Sequence, residues 1–175
     1  MTTTNDLLDP FIGPGFKGDP LGQPALRRSA IASAGWNVLA GDLSFPLAVL
    51  KRDALAHNLT WMQRQVRHWG IDLAPHGKTT MSPQLFARQL EAGAWGITFA
   101  TMQQVRVGVR MGLRRIILAN QLVGAEDILL AMHLVETMPD LELHLLVDSI
   151  PQLQLIEAHG ERRRPARPLN VLLEV

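Results

Sequence analysis

The chain has 175 residues, 47% of them hydrophobic and 19% charged, which suits one globular domain with a sizeable core and leaves little room for two. A formal net charge of +1 argues against nucleic acid or an anionic membrane as partner, and the lack of cysteine excludes a disulfide framework, a thiolate nucleophile and a thiolate zinc site. The N-terminus has no basic start followed by an apolar core, and no stretch approaches the roughly 20 apolar residues that span a bilayer, so the expectation is a soluble, cytoplasmic protein.

Residues 1–44 read as an N-terminal arm, because Pro10, Gly13, Pro14, Gly15, Gly18, Pro20, Gly22 and Pro24 break it too often for regular elements beyond a short helix near Leu26–Ser33. From residue 45 the chain becomes regular. PLAVLK (46–51) reads as a buried strand, and Asp53 as the cap of a helix with Leu55, Leu59, Met62, Val66 and Trp69 on its buried face. IDLAPHGK (71–78) is a second strand, and Ser82 and Pro83 start a helix that runs to Glu91 and closes at Gly93. WGITFAT (95–101) is a strand, then a helix from Met102 to Met111, strand 114–120, helix 125–137, strand 141–148 and a helix from Ser149–Pro151 to Gly160. ERRRPARP (161–168) reads as an exposed, solvated loop, and LNVLLEV (169–175) as a last strand. Asn58-Leu59-Thr60 matches a glycosylation sequon, but it falls inside a predicted helix.

Six apolar strands alternating with five amphipathic helices predict an α/β fold with a parallel sheet covered by helices. A (β/α)₈ barrel needs eight strands and about 250 residues. Residues 45–175 therefore read as either a partial TIM-like barrel, its C-terminal part missing, or an open doubly wound sheet. The ending inside an apolar strand favours the front portion of a longer protein.

In parallel α/β folds, ligands gather at the C-terminal ends of the strands. Those ends read Lys51, His76-Gly77-Lys78-Thr79, Thr98–Thr101, Asn120-Gln121, Asp148-Ser149 and Glu174. The most discriminating is LAPHGKTTMSP (73–83). A phosphate loop needs a glycine five positions before Gly77, where Asp72 stands, and Pro75 removes an amide from the would-be cradle. What remains is a structural lysine or a reactive one whose amine, partly desolvated at a strand end, can attack an aldehyde. The local residues leave both open. Normal strand alternation would place His76 and Lys78 on one face.

PLAVL, LAPHGKTTMSPQLFARQLEAGAWGITFAT and GLRRIILANQLVG together resemble the fold-type III pyridoxal-phosphate enzymes, in the branch of the D-serine dehydratases, D-threonine aldolases and amino-acid deaminases. Pro75, His76, Lys78 and Thr79 match the branch's Pro-His-x-Lys-Thr motif, and KGDP with GWNVLAGDLSFPLAVL is similar to its deaminase-type members. The resemblance implies pyridoxal phosphate as cofactor and Lys78 as its Schiff-base lysine, with His76, Thr79, Asn120, Gln121 and Asp148 as further cofactor-binding candidates. It implies a lyase that takes a β-hydroxy D-amino acid to a keto acid and ammonia, with retro-aldol cleavage, racemisation or a non-enzymatic cofactor carrier as alternatives. It also implies a homodimeric full-length protein with a C-terminal β-domain and a divalent metal, zinc or manganese, whose ligands lie outside this chain. On that reading the chain alone lacks the machinery for full activity. The histidines His57, His68, His133, His144 and His159 lack ligand spacing.

Overall fold

The computed structural model describes residues 8–20, 22–163 and 166–175. It divides into two compact units, Met1–Asn58 and Leu59–Val175.

In the first unit, β1 (Phe11–Ile12) pairs antiparallel with β2 (Leu26–Arg27). A 3-10 segment over Arg28–Ala34 follows, in place of the short helix expected near Leu26. The turn is fastened by Asp9, whose Oδ1 accepts from the Ser29 amide at 2.7 Å and whose Oδ2 accepts from the Ser29 hydroxyl at 2.9 Å. The Arg27 guanidinium lies 4.1 Å from the Phe11 ring centre. The expected strand at 46–51 does not form: no strand pairs with it among the described residues, and Val49 and Leu50 stand exposed. Pro46 offers no amide to a ladder, so the apolar run lacks both a partner edge and a covering face.

The second unit is organised by a four-stranded parallel sheet in the order β3 (Ile97–Phe99), β4 (Arg115–Gln121), β5 (Glu142–Val147) and β6 (Asn170–Leu173). In register, Ile97, Ile116 and Leu143 form one lateral row, and Phe99, Leu118 and Leu145 the next. All six are at most 1% exposed. Their strand neighbours Ile117, His144 and Leu146 face the opposite side and are half-buried. Across β3–β5 the sheet thus has one covered face, where near-continuous apolar strands predicted burial on both, while Val171 and Leu173 on β6 leave the end of that face exposed.

The other expected strand, 71–78, runs beside β3 over residues 73–77 without becoming a full ladder. One parallel bridge joins His76 to Thr98, with the Thr98 amide donating to Pro75 O and the Trp95 amide to Leu73 O, each at 2.8 Å. Pro75 has no amide to return a bond, so the pairing is interrupted. Four strands therefore stand where six were expected, the segment 73–77 extending the sheet beyond β3.

The helices form largely where periodicity placed them. α1 (Arg52–Trp69) has Asp53 inside its first turn rather than before it. Its buried positions are Gln63 and Val66, whereas Met62 and Trp69 are exposed. With its amide turned so that Nε2 donates to Gly93 O (3.3 Å) and Oε1 accepts from the Ala94 amide (3.2 Å), the buried Gln63 is satisfied, and that orientation removes the cost of burying it. α2 (Pro83–Glu91), α3 (Met102–Arg110) and α4 (Ala125–Thr137) supply Phe86, Met102, Val105, Ile128, Met132 and Val135 to the layer over the sheet. α5 (Ile150–Arg163) continues through Gly160 into the run expected as a loop. An ion pair from Arg163 Nη2 to Glu136 Oε2, 3.0 Å, ties its last turn to α4. The rest of that run beyond Arg163 lies partly outside the described residues; Arg167 donates to Val135 O at 3.0 Å and Met138 O at 3.2 Å.

Two outcomes are expected. Leu143→Ala, which empties the centre of the buried layer, should cost about 2–5 kcal/mol in chemical denaturation. The hydrogen bonds from Ser29, followed by the charges of Arg28 and Arg27, hold the Asp9 carboxyl below its ordinary value of 3.8. A depressed carboxyl contributes stability above its unfolded value and loses it as the pH falls through the folded one. An NMR titration should thus find Asp9 titrating below 3.8 and the Ser29 amide shift following it, and Ser29→Ala, which removes the hydroxyl bond but keeps the larger amide one, should raise the Asp9 value only in part.

Candidate functional site

At the C-terminal end of the 73–77 segment the Gly77 amide donates to Thr98 O at 2.8 Å, the last bond of the pairing with β3. Lys78, Thr79 and Thr80 then form an exposed turn, closed by the Met81 amide donating to Gly77 O at 2.9 Å. Met81 has a φ of 43°, in the left-handed region that few non-glycine residues adopt. Pro83 opens α2 at its first position, but Ser82 does not cap it: its hydroxyl donates to Gln84 Oε1 at 3.1 Å instead. Lys78 is therefore on a turn and exposed, where a partly desolvated strand-end lysine was expected. His76 and Lys78 are both exposed and the intervening Gly77 is buried.

The neighbouring strand ends line up beside this turn. After β3, Thr101 Oγ1 accepts from the Gln104 amide at 3.3 Å, and Gln104 Oε1 accepts from the Ala100 amide at 2.9 Å. The pairing of β4 with β5 slips between Leu118 and Gln121, and this bulge releases Asn120 from the ladder. Asn120 Nδ2 then donates to Ala100 O at 3.0 Å, tying the ends of β3 and β4 together. Gln121 Nε2 donates to Glu174 Oε2 at 2.6 Å, reaching past the end of β5. Asp148 is exposed, and its amide donates to Gln152 Oε1 at 3.1 Å. With strands about 4.8 Å apart, the end of β4 lies about 10 Å along the sheet from the His76 segment and that of β5 about 14 Å. The structure thus brings His76, Lys78, Thr79, Asn120 and Gln121 to one stretch of edge and sets Asp148 a strand farther along.

Two residues that shape this edge, Gln104 and Gln152, were not singled out by sequence reasoning. Gln152, 5% exposed, also donates from Nε2 to Leu146 O at 3.0 Å, so one amide holds the whole β5–α5 turn. Gln104 does the same work after β3. Both follow a Ser or Thr by three residues, Ser149 and Thr101, which is the capping-box spacing and was readable. Thr98, buried between two strands, satisfies its hydroxyl by donating to Ala74 O at 2.7 Å. On the half-covered face a depression of about 230 Å³ is lined by Asp72, Ala74, Trp95, Ile117, His144 and Leu172. Among the described residues no three His, Asp or Glu side chains cluster as metal ligands would, and no helix is long and apolar enough to cross a membrane.

No protein-family model matches the chain. Over 133 residues it is 32% identical to the D-threo-3-hydroxyaspartate dehydratase of Delftia sp. (strain HT23), which is 76% of this chain and 34% of the dehydratase. Any such stretch includes residues 43–133, and with them all of Leu73–Pro83. A solved structure of a D-threo-3-hydroxyaspartate dehydratase, a histidine-to-alanine variant, matches with a TM-score of 0.73 at 30% identity over 84% of this chain and 36% of its own. The D-threonine aldolase of Filomicrobium marinum matches with a TM-score of 0.69 at 24% identity, over 77% of this chain and 35% of its own, a likeness of fold. The chain spans about a third of the length of the relatives it matches.

The β5–α5 turn gives a direct test. Gln152→Ala leaves the Asp148 amide and Leu146 carbonyl without their partner and should cost about 1–3 kcal/mol in equilibrium unfolding, while Asn120→Ala, at an exposed site, should cost less.

Proposed function

Because the chain is related to the fold-type III pyridoxal-phosphate enzymes, in the branch of D-threo-3-hydroxyaspartate dehydratase and D-threonine aldolase, we propose that it serves a pyridoxal-phosphate-dependent lyase of β-hydroxy D-amino acids, with dehydration as its reaction. One observation carries the reading: Lys78 of the Pro-His-x-Lys-Thr motif emerges, exposed, at the C-terminal edge of a parallel sheet, inside the region that aligns with the dehydratase. Dehydration ranks above aldol cleavage because the likeness to the dehydratase extends to sequence, at 32% identity.

The residues present suit the cofactor at its aldehyde end. An exposed primary amine is chemically competent to attach to an aldehyde, and the chain's other two lysines, Lys17 and Lys51, lie outside the motif. When bound, pyridoxal phosphate supplies an electron sink for the charge left at the substrate Cα when a bond to it breaks. Lys78 Nζ would hold the cofactor by its aldehyde carbon, and as a free amine it would carry the substrate's α-proton. His76, on the paired segment next to the lysine, flanks the cofactor. Asn120 and Gln121, about two strands away on the same edge, would be further contacts for it, and Thr79 shares the lysine's turn. Asp148 contributes more to the turn before α5 than to the cofactor. Among the described residues no cluster of three His, Asp or Glu side chains offers itself to a divalent metal.

The experiment is cofactor attachment followed by product analysis. Borohydride reduction of the full-length protein with pyridoxal phosphate should leave the adduct on Lys78; recovery on Lys17 or Lys51 would overturn the assignment. Lys78→Ala should lower turnover by about 10²–10⁴-fold. D-serine or D-threo-3-hydroxyaspartate should yield ammonia and a keto acid. Glycine and an aldehyde from D-threonine, with no ammonia from either substrate, would make the protein an aldolase instead.

A further inference from the structure

No side-chain hydrogen bond or ion pair holds Lys78 among the described residues, so the only fixed part of its placement is the backbone from which its side chain starts. That backbone is held on two sides at Gly77. The Gly77 amide is bonded to Thr98 O, and the Gly77 carbonyl accepts from the Met81 amide. A Cβ at residue 77 would come within 2.6 Å of Phe86 Cε1, 2.7 Å of Ile97 Cγ2 and 2.9 Å of Phe99 Cε1. None of the three is a flexible surface end. Phe86 and Phe99 pack edge to face with ring centres 5.5 Å apart, and all three residues are at most 1% exposed. At the far side of the turn, Met81 returns the chain towards α2 through its left-handed backbone while its side chain packs on the same core.

We propose that Gly77 and Met81 are the positioning residues for Lys78: the first lets the strand end lie flush on Phe86, Ile97 and Phe99, and the second closes the turn that aims the lysine. Any side chain at 77 must push the strand end off the core, loosening both hydrogen bonds that define where residue 78 begins. A shift of about 1 Å at an attacking group can cost about 100-fold in rate. The inference rests on Lys78 as the attachment point, and its test separates the two ideas.

The readout is the rate at which pyridoxal phosphate forms a borohydride-reducible adduct on Lys78 in the full-length protein, with thermal unfolding measured alongside. Gly77→Ala should slow the reaction about 10- to 100-fold, and Gly77→Ala with Phe86→Leu, which clears the nearest of the three contacts but leaves Ile97 and Phe99, should recover part of the rate. Phe86→Leu alone should melt at lower temperature yet label Lys78 normally, which shows that lost stability by itself does not slow the labelling. If Gly77→Ala does not fold, the Met81 pair decides: Met81→Asn, which tolerates the left-handed backbone, should keep the labelling rate, and Met81→Val, which resists it, should lose it. Normal labelling of folded Gly77→Ala, a double variant no faster than the single one, or equal rates for the two Met81 variants would each overturn the proposal. An adduct on another lysine in the unsubstituted protein would instead overturn the choice of Lys78.

Discussion

Everything at the candidate site hangs on the parallel registration of β3, β4 and β5. Ile97, Ile116 and Leu143 lie abreast, as do Phe99, Leu118 and Leu145, so the strands cannot slide without turning buried side chains onto the other face. The burial of these rows beneath α2–α5 is the main apolar gain of the second unit. Parallel direction then does the rest: each strand ends on the same side, and the turn after each strand opens onto one shared edge.

The edge is stiffened by polar groups rather than by packing. Gln104 and Gln152 each bond the backbone amide just before their helix, Asn120 ties the end of β4 to that of β3 through Ala100, and Gln121 reaches past β5 to Glu174. Such bonds leave the turns short and fixed in shape while their outer atoms stay in water. A ligand face needs that combination, because a functional side chain is aimed only as well as the backbone that carries it. Lys78 is the extreme case, an exposed amine whose frame is a glycine pressed on aromatic rings.

The two faces of the sheet differ in a way that bears on how far the site extends. Helices cover Leu143, Leu145 and Val147, whereas Ile117, His144 and Leu146 on the reverse are only half-buried, and β6 is exposed along its length. In the α/β barrels that the fold resembles, the reverse face would line the interior. Tilting of Trp95 against His144, with ring centres 5.5 Å apart, gives that face some cover of its own.

By itself the sequence determined the alternation of strands and helices, the bounds of α2 and α4, and Lys78 as the residue of interest. These follow from periodicity, capping and a local motif, all of which act over a few residues. Where it misled, the missing information was non-local. PLAVLK has the composition of a strand but no partner edge; Met62 and Trp69 have apolar side chains, but the helix turns Gln63 and Val66 inwards, and Gly93 and Ala94 satisfy the glutamine. α5 passes Gly160 because Arg163 finds Glu136 on α4. Only the tertiary structure decided that Gly77 must have no side chain, that Lys78 stands on a turn, and that Asn120 and Gln121 share its edge. Each depends on atoms brought together from distant parts of the chain, and no window along the sequence contains them.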